Sequence, residues 1–254
     1  MAQAKKGRYF ISSLERGLAV LSTFSRERPY LTLSDLAQAN KMTLGTATRY
    51  VVTLKELGYL TQDPLTKRYG LTSKVLSMGF TLLSSMDLRS RALPHMIKAT
   101  EELNITTACA ILEGTDIVYI ERSRSTNVVN LDLTTGSRLP AYCTSLGRAI
   151  LAFCDKKKIK EVLDQSRMVK YTPYTITDKK LLYQELEKTR KRGYADNNEE
   201  LSLGLRGLAA PIFRKGEVEA AFGFSFPCHR LTDKKIEAHF IAQLLEIAQK
   251  CYFE

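Results

Sequence analysis

No uninterrupted apolar run in the 254 residues approaches the roughly 18 that a membrane span needs. The first eight residues, Met1 to Arg8, carry charge with no apolar segment behind it, so neither a span nor a secretion leader is expected. Cysteine is sparse and odd in number: five, at 109, 143, 154, 228 and 251, none in a CxxC pair. That argues against a disulfide frame and for reduced thiols in a cytoplasmic protein. No Walker loop, GxGxxG or HExxH occurs, and His95, His229 and His239 sit in no catalytic or metal signature. Cys143 with a histidine base is the one nucleophile to weigh, and a lone cysteine is far more often packing. Cys228 and His229 form a single pair with no second, spaced pair to complete a zinc site. No enzymatic activity, cofactor or metal is expected.

Positive charge is what the chain has in excess. The net charge is +11, and residues 1–70 hold 11 Lys or Arg against 5 Asp or Glu, so over half of the excess lies in the first quarter. Such clustering is the footprint of a polyanion-binding module. Its centre is the stretch from Thr43 to Leu60. Ala47, Tyr50, Val51, Leu54 and Leu57 recur at three- and four-residue intervals on one side of a helix that Thr43 can cap and Gly58 can end. The opposite side carries Gly45, Thr46, Thr48, Arg49 and Thr53, small hydroxyl residues around one arginine, where a solvated helix would show Glu, Lys and Gln.

Two further helices precede it. Ser12-Ser13-Leu14-Glu15 reads as a capping box opening a helix with a Leu14, Leu18, Leu21, Phe24 stripe, and Thr32-Leu33-Ser34-Asp35 opens a shorter one. After Gly58, short strands flank Asp63 to Lys67 as a hairpin with a basic edge. Three helices and a hairpin make a winged helix-turn-helix. Its third helix suits the major groove, with Arg49 reaching a guanine edge or a phosphate, Thr46 and Thr48 contacting bases or phosphates, and Gly45 permitting close approach. Lys67 and Arg68 on the wing, with Lys41 and Lys55, would add sequence-independent phosphate contacts.

From Thr72 or Ser73 a helix bears Val75, Leu76, Gly79, Phe80, Leu83 and Met86, too apolar for an isolated linker, and it is expected to pack against a second copy. A new helix is expected from Pro94 to about Leu103. Strands follow at 106–112, 117–123 and 128–133, helices at 144–153, 156–163 and 178–192, strands at 208–213 and 218–226, and a final helix from Thr232. That order points to an α+β fold whose C-terminal part is built on an antiparallel sheet. The expected division is a basic tail 1–8, a winged helix-turn-helix domain 9–72, a linker helix 73–92 and an effector-binding domain 93–254. At the expected start of the helix after Cys143, unpaired N–H groups and the hydroxyls of Thr144 and Ser145 could hold a carboxylate, or Thr144 and Ser145 could simply cap their own helix.

SSLERGLAVLSTF (12–24), TLSDLAQA (32–39), TATRYVVTLKELGYL (46–60) and RYGL (68–71) together resemble the N-terminal domain of the IclR family of bacterial transcription regulators. Gly136 to Ala152, Arg192 to Glu200 and Gly204 to Ile212 resemble the two signature blocks of its effector-binding domain. The resemblance implies a GAF-like C-terminal domain, a homodimer often assembled into a tetramer, and a near-palindromic DNA operator. It also implies a pocket for a small organic acid bordered by Thr144, Ser145, Leu146 and Gly147, by Asn197, Glu199 and Gly207, and by Gly223 and Ser225, with Leu131 near. Members that sense small keto acids resemble this chain but place Cys, an acid and Ser where it has Gly207, Asn197 and Gly223. By that comparison the pocket is roomier and less polar, pointing to an aromatic acid unless side chains such as Leu131 and Phe222 fill the glycines. The run Leu203 to Arg206 resembles the subgroup that governs aromatic-acid catabolism through β-ketoadipate. Repression and activation are not distinguishable at this level.

Overall fold

A computed structural model describes residues 8–125, 133–231 and 233–251. The chain divides into two compact units, one ending at Ser85 and the other beginning at Met86. The N-terminal unit contains α1 (Ser12–Leu21), β1 (Tyr30–Leu31), α2 (Leu33–Ala39), α3 (Leu44–Glu56), β2 (Leu60–Gln62), β3 (Tyr69–Leu71) and α4 (Ser73–Ser85). Helix α2 opens on a full capping box: the Thr32 hydroxyl accepts from the Asp35 amide at 3.1 Å, and the Asp35 carboxylate accepts from the Thr32 amide at 2.9 Å. Helix α3 starts with Thr43 accepting from the Thr46 amide at 3.2 Å. It stops in a Schellman turn, with Gly58 at φ +77° and the Tyr59 amide reaching back to the Leu54 carbonyl at 2.8 Å.

Val20, Leu31, Leu36, Val51, Leu54 and Leu60 form this unit's core. The three strands pair antiparallel in the order β1-β3-β2. Strand β1, only two residues long, is too short to show a period in the sequence. Helix α1 differs from expectation at its start. Its N-cap is Ile11, with no side-chain cap, because the Glu15 amide bonds the Ile11 carbonyl and draws Ser12 into the first turn. Leu14, Leu18 and Leu57 are likewise more than half exposed rather than buried. They line an apolar groove with Leu21, Tyr50 and Met78.

Helix α4 leaves α3 under restraint. The Thr72 hydroxyl donates to the Gly58 carbonyl at 2.6 Å and the Lys74 ammonium to the Leu57 carbonyl at 2.7 Å, while that ammonium also lies 4.7 Å from the centre of the Tyr59 ring. None of the residues of α4 is buried, and Leu76, Met78, Phe80 and Leu82 are each more than half exposed.

The C-terminal unit begins with α5 (Asp87–Leu103), which runs through Pro94 instead of starting there. An interior proline costs a helix about 3 kcal/mol. Burial of Leu88, Ala92, Met96, Ala99, Thr100 and Leu103 on one face outweighs that cost, a tertiary term that local propensity does not contain. Then come β4 (Thr106–Glu113), β5 (Asp116–Ser123), β6 (Arg138–Pro140), a 3-10 turn at 141–143, α6 (Ser145–Leu151), α7 (Lys156–Gln165), α8 (Lys179–Arg192), β7 (Ala195–Asn198), β8 (Leu205–Arg214), β9 (Glu217–Pro227) and α9 (Lys234–Lys250). The strand expected at 128–133 falls, apart from Leu133, outside the described residues. So does the basic tail up to Gly7.

Six strands form one antiparallel sheet in the order β6-β5-β4-β9-β8-β7. Phe222, Phe224 and Phe226 point to one side, where Phe224 and Phe226 meet Phe240 of α9 edge to face. Alternation along β9 turns Ala221, Gly223 and Ser225 to the other side, where α6 lies with every one of its residues buried. Small side chains make that approach possible: a Cβ on Gly223 would stand 2.9 Å from Leu146, and one on Gly147 would stand 2.2 Å from the Ala141 carbonyl oxygen. Gly147 therefore lets the 141–143 turn pass over α6 at a distance no other residue allows.

Strands β4 and β5 are out of step by one residue. Cys109 pairs with Glu121 and Ala110 with Tyr119, so Ile120 is an unpaired bulge.

Candidate DNA-reading face and effector cavity

In the N-terminal unit Gly45, Thr48 and Arg49 stand exposed on the outer face of α3, with Thr46 half-buried at its edge. The Arg49 side chain makes no hydrogen bond or ion pair among the described residues. The Thr48 and Thr53 hydroxyls donate within the helix, to the Leu44 and Arg49 carbonyls at 2.8 and 2.9 Å. What these threonines offer outward is oxygen lone pairs and methyl groups. Thr43 and Thr46 share a hydroxyl bond of 2.9 Å. Thr53 lies furthest from the others, along the apolar groove beside Leu54 and Leu57.

Two residues of this surface escape a reading based on polarity. Leu44 and Val52 are exposed there, apolar groups of the kind that meet thymine methyls. Gly45 has nothing within 4 Å of where a Cβ would stand. A glycine inside a helix costs about 0.5–1 kcal/mol relative to alanine, and no contact within the unit requires one here.

The wing turn is built by Asp63, whose carboxylate accepts from the Thr66 amide at 2.6 Å, the Leu65 amide at 2.9 Å and the Thr66 hydroxyl at 3.0 Å. The Thr66 bonds hold this carboxyl below the usual carboxylate range. Lys67 follows in the left-handed region, at φ +56°, and Lys67 and Arg68 are both exposed.

In the C-terminal unit the start of α6, the ends of β4, β5 and β9 and the β7–β8 pair enclose a cavity of about 40 Å³. Thr144, Ser145, Leu146, Asn197, Gly207 and Ser225 line it, with Ala108, Tyr119, Arg122, Leu133, Cys143, Leu201 and Leu205. The sheet register brings five of these together, since Asn197 pairs with Gly207 and Gly207 with Ser225, while Ala108 pairs with Arg122. Gly147 and Gly223 do not line the cavity; both serve the packing of α6. Leu131 lies outside the described residues.

The expectation of a roomier cavity is also corrected. A Cβ on Gly207 would stand 2.7 Å from the Ser145 hydroxyl, and the space above Gly223 belongs to Leu146, so both glycine gaps are filled from α6. Asn197 spends an amide hydrogen on the Cys143 carbonyl at 3.0 Å.

Thr144 does cap its own helix. Its hydroxyl oxygen accepts from the Gly147 amide at 3.2 Å and donates to the Pro140 carbonyl at 3.2 Å. Ser145, by contrast, faces the cavity. Burial pushes the Cys143 thiol up to about 12, so it is protonated at neutral pH, the reverse of a nucleophilic cysteine. Burial likewise pushes the Tyr119 phenol up to about 12.

Behind the cavity lies an ion pair. Arg148 meets both carboxylate oxygens of Glu200, at 2.5 Å through its second terminal nitrogen, and bonds the Tyr142 carbonyl at 2.8 Å. The Ile176 amide donates to the same carboxylate at 3.0 Å, so one buried pair ties α6 to two loops. Among the described residues no three metal-ligating side chains gather, and no helix is long and apolar enough to cross a membrane.

Comparison with known proteins assigns both units. The IclR helix-turn-helix domain profile matches residues 13–64, and the profile for the C-terminal domain of bacterial transcriptional regulator IclR matches residues 80–252. The Pca regulon regulatory protein of Pseudomonas putida is 36% identical over 238 residues, covering 93% of this chain and 81% of that one. Among solved structures, RHA06195 from Rhodococcus sp. RHA1 superposes with a TM-score of 0.81 at 34% identity, over 95% of this chain and 97% of that one. An IclR homologue from Microbacterium hydrocarbonoxydans, complexed with 4-hydroxybenzoate, gives 0.81 at 26% identity over 94% and 98%. The Pca protein is named as a regulatory protein and RHA06195 as a transcriptional regulator. With a winged helix-turn-helix unit matched by one family profile and a sheet unit matched by the other, the chain belongs to the IclR family of DNA-binding transcription regulators, among whose members it resembles Pca regulators.

Proposed function

We propose that this regulator senses a small aromatic acid, or the acid produced when such a ring is opened, and controls genes for its breakdown. The observation that carries the reading is the enclosed cavity at the start of α6. It is lined by Tyr119, Arg122, Ser145, Asn197 and Ser225, in a domain whose likeness to the Pseudomonas putida Pca regulator and to the 4-hydroxybenzoate-bound homologue covers nearly the whole chain. Thr144, Ser145, Leu146, Asn197, Gly207 and Ser225 are its effector-facing residues. Gly147 and Gly223 act on the ligand only through the placement of α6.

One observation favours a second reading. About 40 Å³ is well under the ~150 Å³ of a cavity that takes benzene, so an aromatic ligand requires side chains around it to move, whereas a three-carbon keto acid requires less. Thermal unfolding of the full chain separates the two. Ligand that binds only the native state raises the midpoint with concentration. Selective stabilisation by hydroxybenzoates or their ring-opened acids is the expected result. Stabilisation by pyruvate or glyoxylate alone would replace the aromatic assignment with the aliphatic one.

The reading face is Gly45, Thr46, Thr48 and Arg49 with Leu44 and Val52, flanked by Thr43 and Thr53, and the phosphate contacts come from Lys67 and Arg68. A second copy of the chain covers the exposed apolar residues of α4 and the groove between α1 and α3, pairing two reading helices on a near-palindromic operator. Light scattering is expected to return about twice the 28.7 kDa of one chain, or four times if dimers pair. A single-chain mass at micromolar concentration would sink the proposal.

A further inference from the structure

The charge that faces the cavity is decided by one extra residue. In an unbroken strand, side chains two apart share a face, so Tyr119 would share its side of the sheet with Glu121. The bulge at Ile120 breaks that alternation. Ala108 pairs with Arg122 and Ala110 with Tyr119, so Tyr119 and Arg122 stand on the cavity side. Glu121 is turned to the opposite face, where it meets Arg89 of α5 at 2.7 Å. Without the bulge the cavity would hold a carboxylate; with it, Arg122 is the one charged side chain among the described residues that line the space.

We infer that the Arg122 guanidinium receives the carboxylate of the effector, with the Tyr119 hydroxyl as its neighbouring donor, so that β5 supplies the charge that reads the acid. This rests on the reading of the domain as an acid sensor. Two observations support it. The Arg122 guanidinium is held in place, donating to the Leu133 carbonyl at 2.6 Å. A carboxylate offers the same nitrogen a charged acceptor, and charge-assisted bonds are roughly twice as strong as neutral ones. Tyr119 is 7% exposed, yet its hydroxyl makes no hydrogen bond among the described residues, and its side chain borders the cavity. A buried phenol without a protein partner is a donor kept for something else. At the start of α6 Thr144 caps only the Gly147 amide, so the neighbouring main-chain N–H groups can share the same acid with Arg122.

The test is calorimetric titration of the full chain with an acid and its uncharged amide, 4-hydroxybenzoate against 4-hydroxybenzamide. Pyruvate against pyruvamide takes their place if only the keto acid stabilises the wild type. The wild type is expected to prefer the acid. Arg122→Gln is expected to lose about 10–100-fold in affinity for the acid and little for the amide, bringing the two together. Tyr119→Phe is expected to weaken both ligands and keep the preference. Should Arg122→Gln fail to fold, Arg122→Lys decides, because losing the planar fork should weaken the acid more than the amide. Equal losses for both ligands in that variant, or an undiminished acid preference in Arg122→Gln, overturn the assignment alone. Failure of every acid to bind the wild type overturns the acid-sensor reading, and this assignment with it.

Discussion

Arg148→Ala is expected to cost the effector domain about 3–5 kcal/mol, the range found when one partner of a buried ion pair is removed. Glu200 is 6% exposed, and without the guanidinium its carboxylate would keep only the Ile176 amide as a donor. The Tyr142 carbonyl would lose its partner at the same time. Against a total stability of about 5–15 kcal/mol for a domain, such a loss is decisive.

The chain has no tryptophan, so the transition must be followed by far-UV circular dichroism in urea, where the change should lie in the midpoint and not the slope. Glu200→Gln is expected to be comparably damaging because it strands the arginine. The double variant Arg148→Met, Glu200→Leu should cost clearly less than the two single losses together, since it leaves no charge unpaired. A loss below about 1 kcal/mol for Arg148→Ala would place the pair among solvent-screened surface bridges and contradict its burial.

The second large effect concerns DNA. With an operator recovered by selection from random duplexes, Arg49→Ala is expected to lose about 1–3 kcal/mol on that operator and far less on scrambled sequence, as removal of a bidentate base contact does. Lys67→Ala should weaken both alike and reduce the magnitude of the salt slope by about one. Gly45→Ala adds a test in which two readouts move in opposite directions. Nothing in the unit meets a Cβ there, so alanine should stabilise the fold by about 0.5–1 kcal/mol while weakening operator binding, because the methyl group would stand on the face proposed to meet the duplex. Equal losses on operator and scrambled DNA for Arg49→Ala would reduce it to a phosphate contact.

The contrast between what the sequence shows and what it hides follows the range of the interactions involved. The cap at Thr43, the box at Thr32 and Asp35 and the stop at Gly58 are each set within about four residues, and each was legible. So was the three-helix order with its basic wing. Features that depend on distant partners were not. Pro94 reads as a start because its cost to a helix is local, whereas the buried face of α5 that outweighs it depends on contacts elsewhere. Gly207 and Gly223 read as empty space because nothing local reveals how closely α6 lies on the sheet, or that Ser145 and Leu146 fill those gaps. Tyr119 and Arg122 were missed altogether. Their common side depends on a register shift against β4, and no periodicity within β5 carries that information. Arg148 and Glu200 were visible as parts of resembling blocks, but 52 residues separate them and only the fold makes them a pair.

The fastening of α4 to the end of α3 by Thr72 and Lys74 has a mechanical meaning. At 13 residues α4 is about 20 Å long. Because Thr72 and Lys74 at its start bond the Leu57 and Gly58 carbonyls that close α3, a tilt of α4 would carry α3 with it like the short arm of a lever. A tilt of only about 10° about the far end of α4 would displace the end of α3 by about 3 Å, close to the ~3.4 Å rise between base pairs. If α3 reads DNA as proposed, a tilt of that size would shift it by about one base step.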